Sequence, residues 1–317
     1  MTNMDRVQEL VRRLGESEDY FERQKAAWAL VEIGEPALDP VIDALEQGEF
    51  SDLRYKSAWI LGRIGSARAV EPLCRALLND PDYVVREWCA AALEALGSPE
   101  GIPALALAMR QDSSKDVRLR SAVALRNIRA VDALQDLLSS ADPEVRGMAV
   151  TGLAKIGDRG SLDRVAALVR DEEMEVRRRS AAFMGEFACD EALDCLELAL
   201  QDGEPAVRAE ALKSLGRIKG ERACDLALRA LKDEDWQVRY TAVTALGEIG
   251  HSKAVDPLVE VMFGEDDEEI RAWAAWSLGE IGDPRAVEPL RRAHRTCPME
   301  VMKMARESLV EVFRTEP

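Results

Sequence analysis

The sequence predicts an all-α fold, a stack of ten two-helix repeats occupying residues 1–317, and three observations carry that expectation. One arginine recurs as Arg23, Arg54, Arg86, Arg118, Arg146, Arg177, Arg208, Arg239 and Arg271, with Met302 in the tenth slot, at steps of 31, 32, 32, 28, 31, 31, 31, 32 and 31 residues. Around each arginine, apolar residues fall one position before and three, six, seven and ten after, the spacing that lines one side of a helix. No strand-like alternation, Gly/Ser linker or low-complexity tract interrupts the series. A fixed period of this size describes small units that bury their apolar faces only by stacking.

The second helix of each repeat is read from the phrase V-R-x-x-A-A-x-A-L-G-x-I-G, clearest at 236–250 (WQVRYTAVTALGEIG) and 268–282 (EEIRAWAAWSLGEIG). Its last glycine (Gly34, Gly65, Gly97, Gly157, Gly250, Gly282) suits the left-handed residue that closes a helix. The first helix is read from A-V-x-P-L-x-x-A-L, as at 69–77 (AVEPLCRAL) and 254–262 (AVDPLVEVM). Its proline (Pro40, Pro72, Pro257, Pro289) sits near the helix start, where a missing N–H costs little. The acid before that proline position (Asp39, Glu71, Asp132, Asp163, Asp194, Asp225, Asp256, Glu288) gains from the helix dipole if it lies in the first turn, a structural role. The opening helix is expected over about residues 4–14 and the last over about 300–313. The one short step deletes three residues of turn at Ile128–Val131 (IRAV), which predicts a local change of twist between the fourth and fifth repeats.

A proline-bearing helix joined through an aspartate to a V-R helix resembles HEAT repeats, and the short unit is similar to the HEAT-like repeats of phycobilisome lyases. The resemblance covers essentially the whole chain and implies a right-handed α-solenoid, with proline-bearing helices on the convex side and V-R helices lining a concave groove. It also implies that the acid six residues before the arginine (Asp80, Asp112, Asp171, Asp202, Asp233, Glu265) pairs with arginine between helices and successive repeats. A bidentate guanidinium suits that task.

The chain carries 47% hydrophobic residues, enough for a continuous core, and has no apolar run of membrane-span length. Its charged, helix-like start (MTNMDRVQEL) lacks the look of a secretion signal, so a cytoplasmic location is expected. Six cysteines (Cys74, Cys89, Cys189, Cys195, Cys224, Cys297) occur without C-x-x-C and read as reduced thiols. A net charge of −17 opposes nucleic-acid binding. Only two histidines, His251 and His294, are present, without H-E-x-x-H spacing or the repeated His-Glu pairs that a HEAT-like hydroxylase of the deoxyhypusine type needs for two irons. Gly152 and Gly157 mimic the start of a phosphate loop, but Asp158 stands where lysine is required. The run GEDDEE at 264–269 lacks EF-hand spacing and reads as a solvated acidic turn. No catalytic residue, metal ligand or cofactor is expected from these patterns.

What remains is the stripe of the V-R helices opposite the core, one, two, five and nine residues after the arginine, with the rim three and two residues before it. All six tryptophans and all four tyrosines occupy these columns, but only Phe21 among six phenylalanines. Tyr20, Trp28, Tyr55, Trp59, Tyr83 and Trp88 form one group and Trp236, Tyr240, Trp273 and Trp276 a second. Amphipathic aromatics in exposed columns resemble interface anchors, although rings crowding one another across repeats would give the same pattern. Between the groups the columns mix Lys115, Arg120, Arg178, Arg179 and Lys213 with Glu144, Glu175 and Glu210, and toward the C-terminus they become acidic. The leading expectation is a non-catalytic scaffold that holds a protein segment in its groove through these ten aromatics. The resemblance adds two alternatives, a bilin lyase or cofactor chaperone, and a nucleic-acid module.

Overall fold

The structure is a computed structural model that describes residues 3–315, so the outermost residues of the expected 1–317 repeat array lie outside the described part. Twenty α-helices account for the fold among the described residues, and none is long and apolar enough to cross a membrane. The chain packs as two compact units, Met1–Asp158 and Arg159–Pro317.

In the first unit the helix pairs are α1 (Asn3–Glu16) with α2 (Tyr20–Ile33), α3 (Leu38–Gln47) with α4 (Ser51–Ile64), α5 (Val70–Asn79) with α6 (Tyr83–Leu96), α7 (Ile102–Gln111) with α8 (Lys115–Asn127), and α9 (Val131–Leu137) with α10 (Pro143–Ile156). In the second they are α11 (Leu162–Ala167) with α12 (Met174–Met184), α13 (Asp190–Ala199) with α14 (Pro205–Ile218), α15 (Glu221–Arg229) with α16 (Trp236–Ile249), α17 (Val255–Gly264) with α18 (Glu268–Ile281), and α19 (Val287–Thr296) with α20 (Met299–Thr315). Within each unit the odd-numbered helices pack in one layer and the even-numbered in another, with Leu, Val and Ala side chains buried between them.

The helix ends follow the sequence. Gly34, Gly65, Gly97, Gly157, Gly250 and Gly282 all take positive φ after an even-numbered helix. Several of those helices open on an aspartate whose carboxylate accepts backbone N–H groups: Asp19, Asp82, Asp142, Asp235 and Asp267. Each expected proline lies two residues inside its helix, after a single 3₁₀ turn such as Ala67–Ala69 or Pro284–Ala286. At the short step that turn is missing and α9 shrinks to seven residues; Arg129 takes the left-handed φ of 57° that glycine usually supplies.

The recurring arginine ties each repeat to the next. In the first unit Arg54 donates from Nε and Nη2 to the two carboxylate oxygens of Asp80 at 2.7 and 3.0 Å, and Arg86 does the same to Asp112 at 2.7 and 2.8 Å. In the second unit Arg177 grips Asp202, Arg208 grips Asp233 and Arg239 grips Glu265. The remaining Nη1 donates to the carbonyl six residues back, as Arg86 does to Asp80 and Arg208 to Asp202. One guanidinium therefore closes its own turn and clamps the following one. Where the acid is replaced, the pairing shifts: Arg118 turns to Glu144, and Arg271 meets the Met262 carbonyl and the Cys297 sulfur.

A second ladder runs along the odd-numbered helices. Arg68 pairs with Asp39, Lys253 with Asp225 and Arg285 with Asp256, each base reaching back one repeat. This corrects the dipole reading for Asp194 and Asp225. Because α13 and α15 begin at Asp190 and Glu221, those two acids lie a turn inside their helices and are held by Arg222 and Lys253 instead.

The first glycine of A-L-G-x-I-G brings neighbouring even-numbered helices into backbone contact. A Cβ on Gly62 would sit 2.9 Å from the Cα of Ala92; one on Gly247 would meet Ser277, and one on Gly279 would meet Ser308, at 3.0 Å or less. Ser277 and Ser214 use that closeness to donate to the carbonyls of Val243 and Ala181 on the preceding helix at 2.8 and 2.9 Å.

Two outcomes are expected. Gly62→Ala overpacks a backbone contact at a cost of about 1–3 kcal/mol, beyond the ~1 kcal/mol gained in helix propensity, whereas Gly264→Ala adds its methyl to open space and stabilises by up to about 1 kcal/mol. Urea midpoints check the opposite signs. Burial raises the Asp202 and Asp233 carboxyls, but Arg177, Arg208 and backbone N–H groups more than offset it and hold both below the usual carboxylate range. A depressed folded pKa stabilises above the unfolded value of about 4 and ceases to do so as pH falls through the folded value. Asp202→Asn combined with Asp233→Asn should lower Tm at pH 7 and flatten its fall as pH drops below about 4; an unchanged acid limb would refute the ladder's role.

Candidate functional site

All ten singled-out aromatics lie on even-numbered helices, α2, α4, α6, α16 and α18, and none is buried. In the first unit Trp28 of α2 and Trp59 of α4 meet edge to face, centroids 5.1 Å apart at 83°. Tyr55 of α4 stacks on Trp88 of α6 at 6.1 Å and 25°. Tyr20 packs against Phe21, and its hydroxyl accepts the Gln24 amide at 3.1 Å. Tyr83 stands apart, exposed, beside Arg86 and Asp116 along a shallow cleft. In the second unit Tyr240, Trp273 and Trp276 form a chain of edge-to-face contacts at 5.6 and 5.3 Å, with Trp236 exposed one turn before Tyr240. Crowding across repeats is thus part of what these rings do. It leaves Trp28 47% and Trp236 54% exposed, so indole surface remains open.

Polar groups set the first-unit surface apart. The Arg63 guanidinium lies 5.6 Å from the Trp28 ring centre, a cation over the ring beside the Trp28–Trp59 pair. Asp52 gathers Arg23 at 3.5 Å, the buried amine of Lys56 and the Tyr55 hydroxyl. Burial and the Asp52 carboxylate push the Tyr55 phenol up to about 12. Arg63 and Asp52 were not singled out from the sequence, although the four-residue spacing Tyr55, Trp59, Arg63 places Arg63 on the same ridge of α4 as both rings, and Asp52 lies one turn before Lys56. The mixed charges on α8, α12 and α14 prove to be neutralised: Lys115 pairs with Glu144, and Arg178 and Arg179 close on Glu175, whose carboxyl they hold down to about 2 against burial.

A profile for HEAT repeats matches residues 38–126, 108–184, 164–239 and 225–310. The chain belongs to the HEAT-repeat family. A profile for the PBS lyase HEAT-like repeat matches residues 22–47, which include Trp28. Among curated HEAT-like relatives, bilin biosynthesis protein PecE of Nostoc sp. is 35% identical over 38% of this chain and 52% of its own length. Phycocyanobilin lyase subunit alpha of Picosynechococcus sp. is 36% identical over 31% of this chain and 40% of its own. Deoxyhypusine hydroxylase of Schizosaccharomyces pombe is 27% identical over 40% and 41%. The chain thus spans about half the length of these three relatives, or less. Yeast importin-beta (Kap95p) shares the fold, with TM-score 0.66, 14% identity, and coverage of 98% of this chain and 52% of that one.

These relatives overturn the leading expectation of a non-catalytic protein-interaction scaffold, since they are named for bilin biosynthesis, lyase and hydroxylase roles. The physical reason is that an open indole face is equally flat and polarisable toward a peptide and toward a planar conjugated molecule. Aromatic columns alone do not choose between them. The two histidines of this HEAT-repeat chain meet backbone groups, His251 accepting from the Lys253 N–H and His294 Nδ1 lying 3.2 Å from the Met302 carbonyl oxygen.

Asp52→Asn should bring the Tyr55 ionisation down from about 12 toward the ordinary tyrosine value near 10, read by ultraviolet difference titration. An unmoved titration would show that Asp52 does not reach the hydroxyl.

Proposed function

We propose that this HEAT-repeat chain takes a linear tetrapyrrole as substrate and handles it for attachment to, or release from, an acceptor protein, the bilin-lyase class of activity. The observation that carries the reading is the first-unit surface where the open Trp28–Trp59 indoles lie beside the Arg63 guanidinium. A bilin is an extended conjugated ribbon with anionic propionates, so indole faces suit its pyrroles and Arg63 suits a carboxylate. The PBS lyase repeat match over residues 22–47 falls on the same helix as Trp28, which supports placing the ligand there.

A lyase of this class forms its thioether by adding a thiolate across an exocyclic carbon–carbon double bond of the bilin, the thiol's proton ending on the tetrapyrrole. The acceptor supplies that thiol. In this chain burial pushes the Cys89 thiol well above its usual range, burial and neighbouring carboxylates push Cys224 up to about 11, and burial also raises Cys74 and Cys195. All four stay protonated at neutral pH, where a thiol is a poor nucleophile.

Titration with phycocyanobilin tests the reading. The free chain should perturb the visible absorption band and quench tryptophan emission at micromolar bilin. Trp28→Ala and Arg63→Ala should each weaken binding at least tenfold, while Trp276→Ala leaves it unchanged. Absence of any spectral change with the unaltered chain sinks the proposal.

A further inference from the structure

The second aromatic surface has a different electrostatic character, and we propose that it docks a lysine- or arginine-bearing segment of a partner protein. Calling that partner the bilin acceptor rests on the function proposed above; the charge argument does not. Tyr240, Trp273 and Trp276 form one continuous ring surface across α16 and α18, with Trp236 exposed at its edge. Burial raises the Tyr240 phenol, and the nearby Glu269 carboxylate adds to the shift. Glu248, Glu268, Glu269 and Glu280 are exposed and have no basic partner among the described residues. On α10 and α12, by contrast, Glu144 is matched by Lys115 and Arg118 and Glu175 by Arg178 and Arg179.

Open ring faces bordered by unpaired carboxylates favour a cation twice, through the ring quadrupole and through charge. A bilin carrying propionates is repelled at this surface and attracted at Arg63, so the two aromatic groups select opposite charges. A second copy of this chain does not fit, because each copy carries −17. The same charge opposes a nucleic acid.

The test uses the full chain and two fluorescein-labelled probes, a sixteen-residue lysine/alanine/leucine helix-forming peptide and its glutamate counterpart, followed by anisotropy at two salt concentrations. The basic peptide should bind, weaken on raising salt, and lose at least tenfold in affinity with Glu269→Lys combined with Glu280→Lys. A control with Asp43→Lys and Glu260→Lys, exposed acids of α3 and α17, makes the same change in net charge and should alter binding less than threefold. Equal loss in both double variants would mean attraction to net charge alone and would overturn the proposal, as would equal binding of the acidic peptide or no binding at all. Phycocyanobilin titration of the Glu269→Lys, Glu280→Lys variant separates the two proposals: unchanged bilin affinity with lost peptide binding supports two surfaces, and bilin affinity that rises severalfold there overturns the division of labour.

Discussion

Everything in this chain hangs on one guanidinium used in two directions. The anchor arginine satisfies carbonyls at the start of its own helix and grips a carboxylate of the next repeat with two parallel bonds, as Arg86 does with Asp80 and Asp112. The clamp is largely buried, and a buried pair of charges is tolerated only when geometry and additional hydrogen bonds compensate its lost hydration. The carboxylate meets that condition by also accepting a backbone N–H two residues on, as Asp112 does from Ser114. A repeat cannot rotate away from its neighbour without breaking several charge-assisted bonds at once. Close packing at Gly62 and Gly247 then brings the even-numbered helices near enough for rings on adjacent repeats to touch.

That closeness explains how an architectural repeat makes a functional surface. Trp28 and Trp59 come from different repeats, as do Tyr55 and Trp88, and Tyr240 and Trp273. Each pair exists only because the clamp sets the stagger of the helices. The charged residues around the pairs are free of core duty and differ between units, with Arg63 and Asp52 at one surface and Glu269 and Glu280 at the other. In each unit, therefore, the even-numbered helices set the charge around their aromatic pairs through solvent-facing positions alone.

Much of the fold was legible because its determinants are local and repeated. Helix position and the closing glycines follow from residues within one or two periods, and the pairing of the arginine with an acid was what the resemblance to HEAT repeats implied. The aromatic columns were legible for the same reason. Less legible were features that depend on two repeats at once: the basic residue that reaches back to Asp39 or Asp225, the glycine that admits Ala92, and the Arg63 cation over Trp28. The expectation of a pure scaffold failed because helical spacing reports exposure, not the chemistry of what an exposed ring meets.

By itself the sequence determined the class of architecture, the number and phase of the helices and the residues turned away from the core, since a period near 31 with an apolar stripe has one stable solution. Only the tertiary structure decided which of those residues touch and which charges stay unpaired. Ring contacts and ion pairs across repeats depend on the distance between helices about thirty residues apart, and that distance is set by packing and by the arginine clamp, neither of which a single period of sequence contains.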